Sequence, residues 1–117
     1  MIEKFNIDFL DEAIDFMDSV EAKARKKIYF NLKKSRLVND PKLLKKLDEN
    51  IWEFRTLFDK KHYRLFAFWD KTDDKRTLVL ATHGMIKKTK KILKNEIKKA
   101  EEIRKMYFDQ KSKENEK

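Results

Sequence analysis

Residues 51–69 read IWEFRTLFDKKHYRLFAFW, and this stretch decides the fold. In its first half Ile51, Glu53, Arg55 and Leu57 fall on one side, and Trp52, Phe54, Thr56 and Phe58 on the other. Aromatic and β-branched residues at a period of two predict a strand over 51–58. Asp59-Lys60-Lys61 supplies a turn, and 62–69 repeat the pattern, with Tyr63, Leu65, Ala67 and Trp69 opposite His62, Arg64, Phe66 and Phe68. After a polar turn over 70–75, Thr77–Thr82 is apolar on both sides and reads as a central third strand. The connections are too short for parallel crossovers, so these strands form antiparallel hairpins.

Working outward, Met1–Ile7 alternates loosely as a short first strand. Asp8 then stands where a helix N-cap is expected, followed by Phe9, Leu10, Ala13, Ile14, Met17 and Val20 at helical spacing. Asp11 and Glu12 lie in the first turn, where the helix dipole favours negative charge, so this acidic block calls for no metal. A break near Ser19–Glu21 leads to a second helix ending about Leu37, with Ala24, Ile28 and Leu32 on its buried stripe. Asn39-Asp40-Pro41 stops it, because proline disfavours the helical region for the residue before it. Pro41 is expected to open a short helical turn holding Leu43, Leu44 and Leu47. Leu93, Ile97, Ala100, Ile103 and Tyr107 mark an amphipathic C-terminal helix, and 111–117 read as a disordered charged tail. The fold class is therefore α+β: two N-terminal helices packed on a small antiparallel sheet, plus a C-terminal helix, in a single domain over 1–110.

The chain has 117 residues, no cysteine, 40% hydrophobic residues and a net charge of +9. That apolar content predicts a folded core, and the missing cysteine removes disulfides and thiolate metal sites. No apolar run approaches the ~20 residues of a membrane span, and the N-terminus lacks a signal-peptide layout. The expectation is a soluble, cytoplasmic protein that needs no cofactor. Charge is laid down in blocks: −5 over residues 1–20, +8 over 21–46, zero over 47–76 and +6 over 77–105. Two basic blocks flanking a neutral aromatic middle favour a polyanionic partner, since each cation that neutralises a phosphate releases a counterion. The plainer alternative is that charged helices keep the protein in solution.

The ordered set Trp52-Glu53-Phe54-Arg55, Tyr63-Arg64, His83-Gly84-Met85 and Lys87-Lys88-Thr89 resembles the phage-derived Gp49-like toxins, HigB-type members of the RelE/ParE superfamily. The resemblance covers about half the chain in detail. Two departures stand out: Ile92-Leu93 replaces the family's threonine-proline before the last helix, leaving Thr89 to cap it, and Phe54 stands at a leucine position. The resemblance implies a RelE-like fold and a type II toxin that cleaves messenger RNA in the ribosomal A site. It also implies neutralisation by a co-expressed antitoxin, of the helix-turn-helix kind in the HigB case.

Such cleavage, without a metal, needs a proton acceptor for the 2′-hydroxyl, cations for the charged phosphoryl oxygens and a donor for the leaving oxygen. On that reading Arg55 and Arg64 present forked donors to phosphate, and His83 transfers a proton. Lys87 and Lys88 complete the catalytic set by clamping the backbone or acting as a base. Lys26, Lys27, Lys33, Lys34, Lys90 and Lys91 are the RNA-binding candidates. Each has a structural counterpart: a hydrogen-bonded histidine, an Arg55–Glu53 pair, a solvated lysine run, a glycine that merely turns the chain. Arg64 sits among Phe66 and Phe68 and needs either a carboxylate or a phosphate. His62, beside a turn, reads as a bystander. Two other functions stay open: a ParE-like toxin that inhibits a topoisomerase, and a non-catalytic basic RNA-binding protein.

Overall fold

The hairpin over 51–69 is the middle of a five-stranded sheet. The structure is a computed structural model, and it describes residues 5–72, 78–87 and 94–115. The elements are β1 (Asn6–Phe9), α1 (Asp11–Ser19), α2 (Ala22–Ser35), β2 (Leu44–Lys46), β3 (Trp52–Phe58), β4 (Lys61–Asp70), β5 (Leu78–Lys87) and α3 (Lys94–Asn115). The strand order is β1-β5-β4-β3-β2. Strands β2 to β5 pair antiparallel, whereas β1 pairs parallel with β5. The sheet is thus mixed, which corrects the expected purely antiparallel one. The parallel contact is possible because the whole span between β1 and β5 serves as the crossover.

Alternation along the strands gives the sheet two apolar faces. Tyr63, Leu65 and Ala67 of β4, with Phe54, Val79 and Ala81, pack against Ala13 and Met17 of α1 and Ala24, Ile28 and Leu32 of α2. On the reverse face Phe66, Phe68 and Leu80 pack with Ala100, Ile97, Tyr107 and Phe108 of α3. Arg25 of α2 donates to the Met17, Asp18 and Val20 carbonyls, so it supplies the positive charge that the last turn of α1 lacks. Arg36 fastens the end of α2 to β1 through the Phe5 carbonyl and the Asn6 side chain.

Four local expectations are corrected. Asp8 lies in β1, paired with Leu80, so α1 starts at Asp11 with Leu10 in the N-cap place and no side-chain cap. The helical turn expected after Pro41 shrinks to a turn closed on the Asp40 carbonyl, and Leu44–Lys46 becomes edge strand β2 against β3. The third strand does not stop at Thr82: β5 continues to Lys87 because the backbone of 83–87 pairs with β4 residues 62–66. Residues 111–115 of the charged tail are helical, and Lys111 is tied to Asp70. Among the described residues no helix is long and apolar enough to cross a membrane.

Gly84 sits in the middle of β5 with no positive φ. A Cβ there would lie 2.3 Å from the Phe16 ring, so this glycine admits the flank of α1 and does not turn the chain. Positive φ occurs instead at Asp59 and Lys60, the two residues between β3 and β4. Two adjacent positive φ values at a two-residue hairpin are the mark of a type I′ turn, whose twist matches that of the strands.

Candidate functional site

Strand register places the charged residues of the central hairpin in three rows on the α3 side of the sheet. Glu53, Phe66 and His83 form one row, Arg55, Arg64 and Met85 the next, and Leu57, His62 and Lys87 the last. Neighbours within a row are about 5 Å apart and successive rows about 7 Å apart. The register holds across β5 because a bulge between Phe66 and Ala67 takes in Thr82 as an extra residue. Without that extra residue His83, Met85 and Lys87 would point to the α1 side.

Helix α3 covers only part of this face. It starts beside the first row, where Glu96 Oε2 lies 2.7 Å from His83 Nε2, and runs away over Phe66, Phe68 and Asp70. His83 is 3% exposed, stacks on Phe66 at 4.9 Å, and has Thr82 Oγ1 3.0 Å from its Nδ1. Burial holds its pKa below the ordinary histidine value against the opposing pull of Glu96. A neutral ring carrying its proton on Nε2 donates to Glu96, and its Nδ1 competes with the Phe66 carbonyl for the Thr82 hydroxyl proton. Both nitrogens are therefore engaged, and His83 locks α3 to β5.

The last two rows lie beyond the start of α3. Arg64 is 3% exposed, and its Nη1 donates to Glu53 Oε1 at 2.9 Å. Arg55 Nε approaches the same carboxylate oxygen at 3.4 Å, with a third of its side chain exposed. One carboxylate thus serves two guanidiniums. Arg64 Nε, fully buried, has no hydrogen-bond partner among the described residues. Arg55, His62 and Arg64, with Lys42, Thr56 and Leu57, line a cavity of about 180 Å³. Lys87 completes the last row, and its pKa is lowered by burial and by Arg64, Arg55 and Lys45, against the pull of Glu53. Burial and the nearby Arg55 likewise lower the pKa of Arg64, against Glu53. The pocket is thus cationic, and among the described residues Arg64 Nε is a buried donor left without an acceptor.

A family model described as phage-derived protein Gp49-like (DUF891) matches residues 15–105. The chain belongs to this family. The Gp49-like family is associated with the toxins of toxin–antitoxin systems. No curated protein and no solved structure matches the chain.

In this Gp49-like chain Arg55, Arg64 and Lys87 of the expected catalytic residues lie in the last two rows, and His83 lies in the row before them, buried and held by Glu96 at the start of α3. Lys88, Lys90, Lys91 and Thr89 lie outside the described residues. Lys26, Lys27, Lys33 and Lys34 are exposed on α2, on the opposite side of the sheet from the cavity, with Lys27 Nζ 5.1 Å from the centre of the exposed Phe30 ring. Sequence reasoning missed His62 and Lys42. Strand parity was the available signal for His62, since it shares its side of β4 with Arg64. Lys42 carried no such signal, because its place depends on the fold of the segment before β2. Among the described residues no group of three or more His, Cys, Asp or Glu is placed to hold a metal ion.

Proposed function

We propose that this Gp49-like protein is the toxin of a type II toxin–antitoxin system and acts as an endoribonuclease on messenger RNA in the ribosomal A site. The observation that carries the reading is the buried Arg64, its Nε without a partner among the described residues, in a cavity shared with Arg55 and flanked by Lys87. A phosphodiester is the ligand that suits such a group. In RNA cleavage the 2′-oxygen attacks the adjacent phosphorus and the bond to the 5′-oxygen breaks. The products are a 2′,3′-cyclic phosphate and a 5′-hydroxyl end. Negative charge grows on the phosphoryl oxygens during attack, and fixed donors that meet it there lower the barrier. Arg55 is the accessible forked donor, Arg64 the anchored one, and Lys87 the cation on β5 in the next row.

The exposed lysines of α2 suit a second, non-catalytic contact with ribosomal RNA, and the partner in the resting state is a co-expressed antitoxin of the helix-turn-helix kind. The test is a reconstituted cleavage assay in EDTA, with and without ribosomes programmed at a known codon, and with the RNA ends mapped. A-site cleavage that requires ribosomes is the expected result. Intact RNA from folded protein would sink the reading and direct the next assay to topoisomerase inhibition. Changing Lys26 and Lys27 to Glu should weaken ribosome binding most at low salt, where exposed charges are least screened; binding that stays the same across a salt titration would remove α2 from the contact.

A further inference from the structure

We infer that His62 is the group that takes the proton from the attacking 2′-hydroxyl, a role that rests on the ribonuclease reading above. Four observations lead there. His83, the other histidine of the chain, is closed off by Glu96, Thr82 and Phe66. His62 is half-buried and lines the same cavity as Arg55 and Arg64. Register puts it between Leu57 of β3 and Lys87 of β5 on the face that carries Arg64. The two-residue turn at Asp59 and Lys60, just before it, fixes its register on the hairpin.

The alternatives on the page are weaker acceptors. Arg55 and Arg64 are guanidiniums and stay protonated. Glu53 is 7% exposed and occupied by both arginines. Lys87 must carry its proton to serve as a cation or as the donor to the leaving oxygen. An imidazole gives and takes protons near neutrality, and a base within hydrogen-bond reach of its proton accelerates such steps by about 10²–10⁴.

The step balances without a further reagent. His62 removes the 2′-hydroxyl proton as the 2′-oxygen bonds to phosphorus. The phosphorus–5′-oxygen bond then breaks, and the 5′-oxygen takes a proton from Lys87 or from water. His62 returns its proton to solvent after release. Leu57, 59% exposed beside His62, leaves this end of the hairpin open to a nucleotide.

The experiment is single-turnover cleavage on programmed ribosomes by the wild type, His62→Gln and His62→Ala, with ribosome co-sedimentation and circular dichroism for each. Both variants should bind ribosomes and fold as the wild type does, yet cleave at least ~100-fold more slowly. Added imidazole should raise the rate of His62→Ala by ~10-fold or more and leave His62→Gln unchanged. Wild-type cleavage by His62→Gln would overturn the inference, and so would a loss in His62→Ala that imidazole does not restore. If the wild type itself leaves RNA intact, the ribonuclease reading fails first and the inference falls with it.

Discussion

The two ends of the sheet face beneath and beyond α3 carry similar residues and treat them in opposite ways. At the covered end Asp70 is 2% exposed and accepts from Tyr107 Oη, Lys111 Nζ and the Thr72 hydroxyl and backbone amide. Burial alone would raise its pKa, but these donors hold it well below the ordinary carboxylate range. Burial and the Asp70 carboxylate together raise the Tyr107 pKa. At the open end a single buried carboxylate, Glu53, is shared by Arg55 and Arg64, and Lys87 adds charge without adding an acceptor. One end is a closed account of donors and acceptors. Among the described residues the other has donors to spare, and that surplus is what the proposed phosphate site requires and a structural clasp does not.

The largest effect should come from the open end. Arg55→Ala removes an accessible donor without uncovering a core, so ribosome-dependent cleavage should fall by about 10²–10³ while stability moves by less than ~1 kcal/mol. Cleavage kinetics and a urea melt on the same preparation check both halves. An active Arg55→Ala protein would show that the surplus of donors is incidental.

The mirror experiment is Asp70→Asn at the covered end. The carboxamide keeps the shape but loses the charge that Lys111 and Tyr107 answer, and hydrogen bonds to a charged group contribute about 1.5–3 kcal/mol. A loss of ~2 kcal/mol in unfolding free energy is expected, with the cleavage rate of the folded protein unchanged. Reduced cleavage by fully folded Asp70→Asn would mean that the clasp and the cavity are coupled through β4.

How much of this contrast was legible in the sequence depended on distance along the chain. The hairpin over 51–69 was legible because alternation is a local signal, and parity alone put Glu53 and Arg55 on one side. The continuation of β5 was hidden, because Gly84 and the following lysines read as a turn and a loop. Only pairing with 62–66 shows that His83, Gly84 and Met85 are strand residues. Likewise Leu43, Leu44 and Leu47 have helix-like spacing, and the edge of β3 overrode it. The site was half legible for the same reason. Residue type singled out His83, but the path of α3 buries it, and that path is set by Phe66, Phe68, Leu80 and Ala100 together. His62, next to a turn, reads as a bystander until the fold sets it in the cavity with Arg55 and Arg64.

A pH titration sharpens the comparison further. His83 has a folded-state pKa lowered by burial, so the unfolded chain binds its proton more readily. The stability it contributes is present above the unfolded value, near ~6.5, and is lost as pH falls through the folded value. Resistance to urea should therefore weaken on acidification below about pH 6.5, and His83→Gln should flatten that part of the curve. The same variant should keep its cleavage activity in the folded fraction. A pH curve equal to that of the wild type would mean that His83 is not the titrating contact under α3.

The smallest effect tests what holds the open end in place beyond the described start of α3. Asp59 and Lys60 have φ of 50° and 63°, a region that costs a non-glycine residue about 1–2 kcal/mol. Glycine at 60 would relieve that strain but would also loosen the unfolded chain, and the two terms nearly cancel. Lys60→Gly should therefore gain only a few tenths of a kcal/mol in a urea melt. Its cleavage rate should be that of the wild type, because the hairpin register, set by seven paired positions between β3 and β4, does not depend on the side chain at the turn. A fall in cleavage without a loss of stability would show that the Lys60 side chain itself reaches the substrate, and the open end would then extend beyond the cavity to the tip of the hairpin.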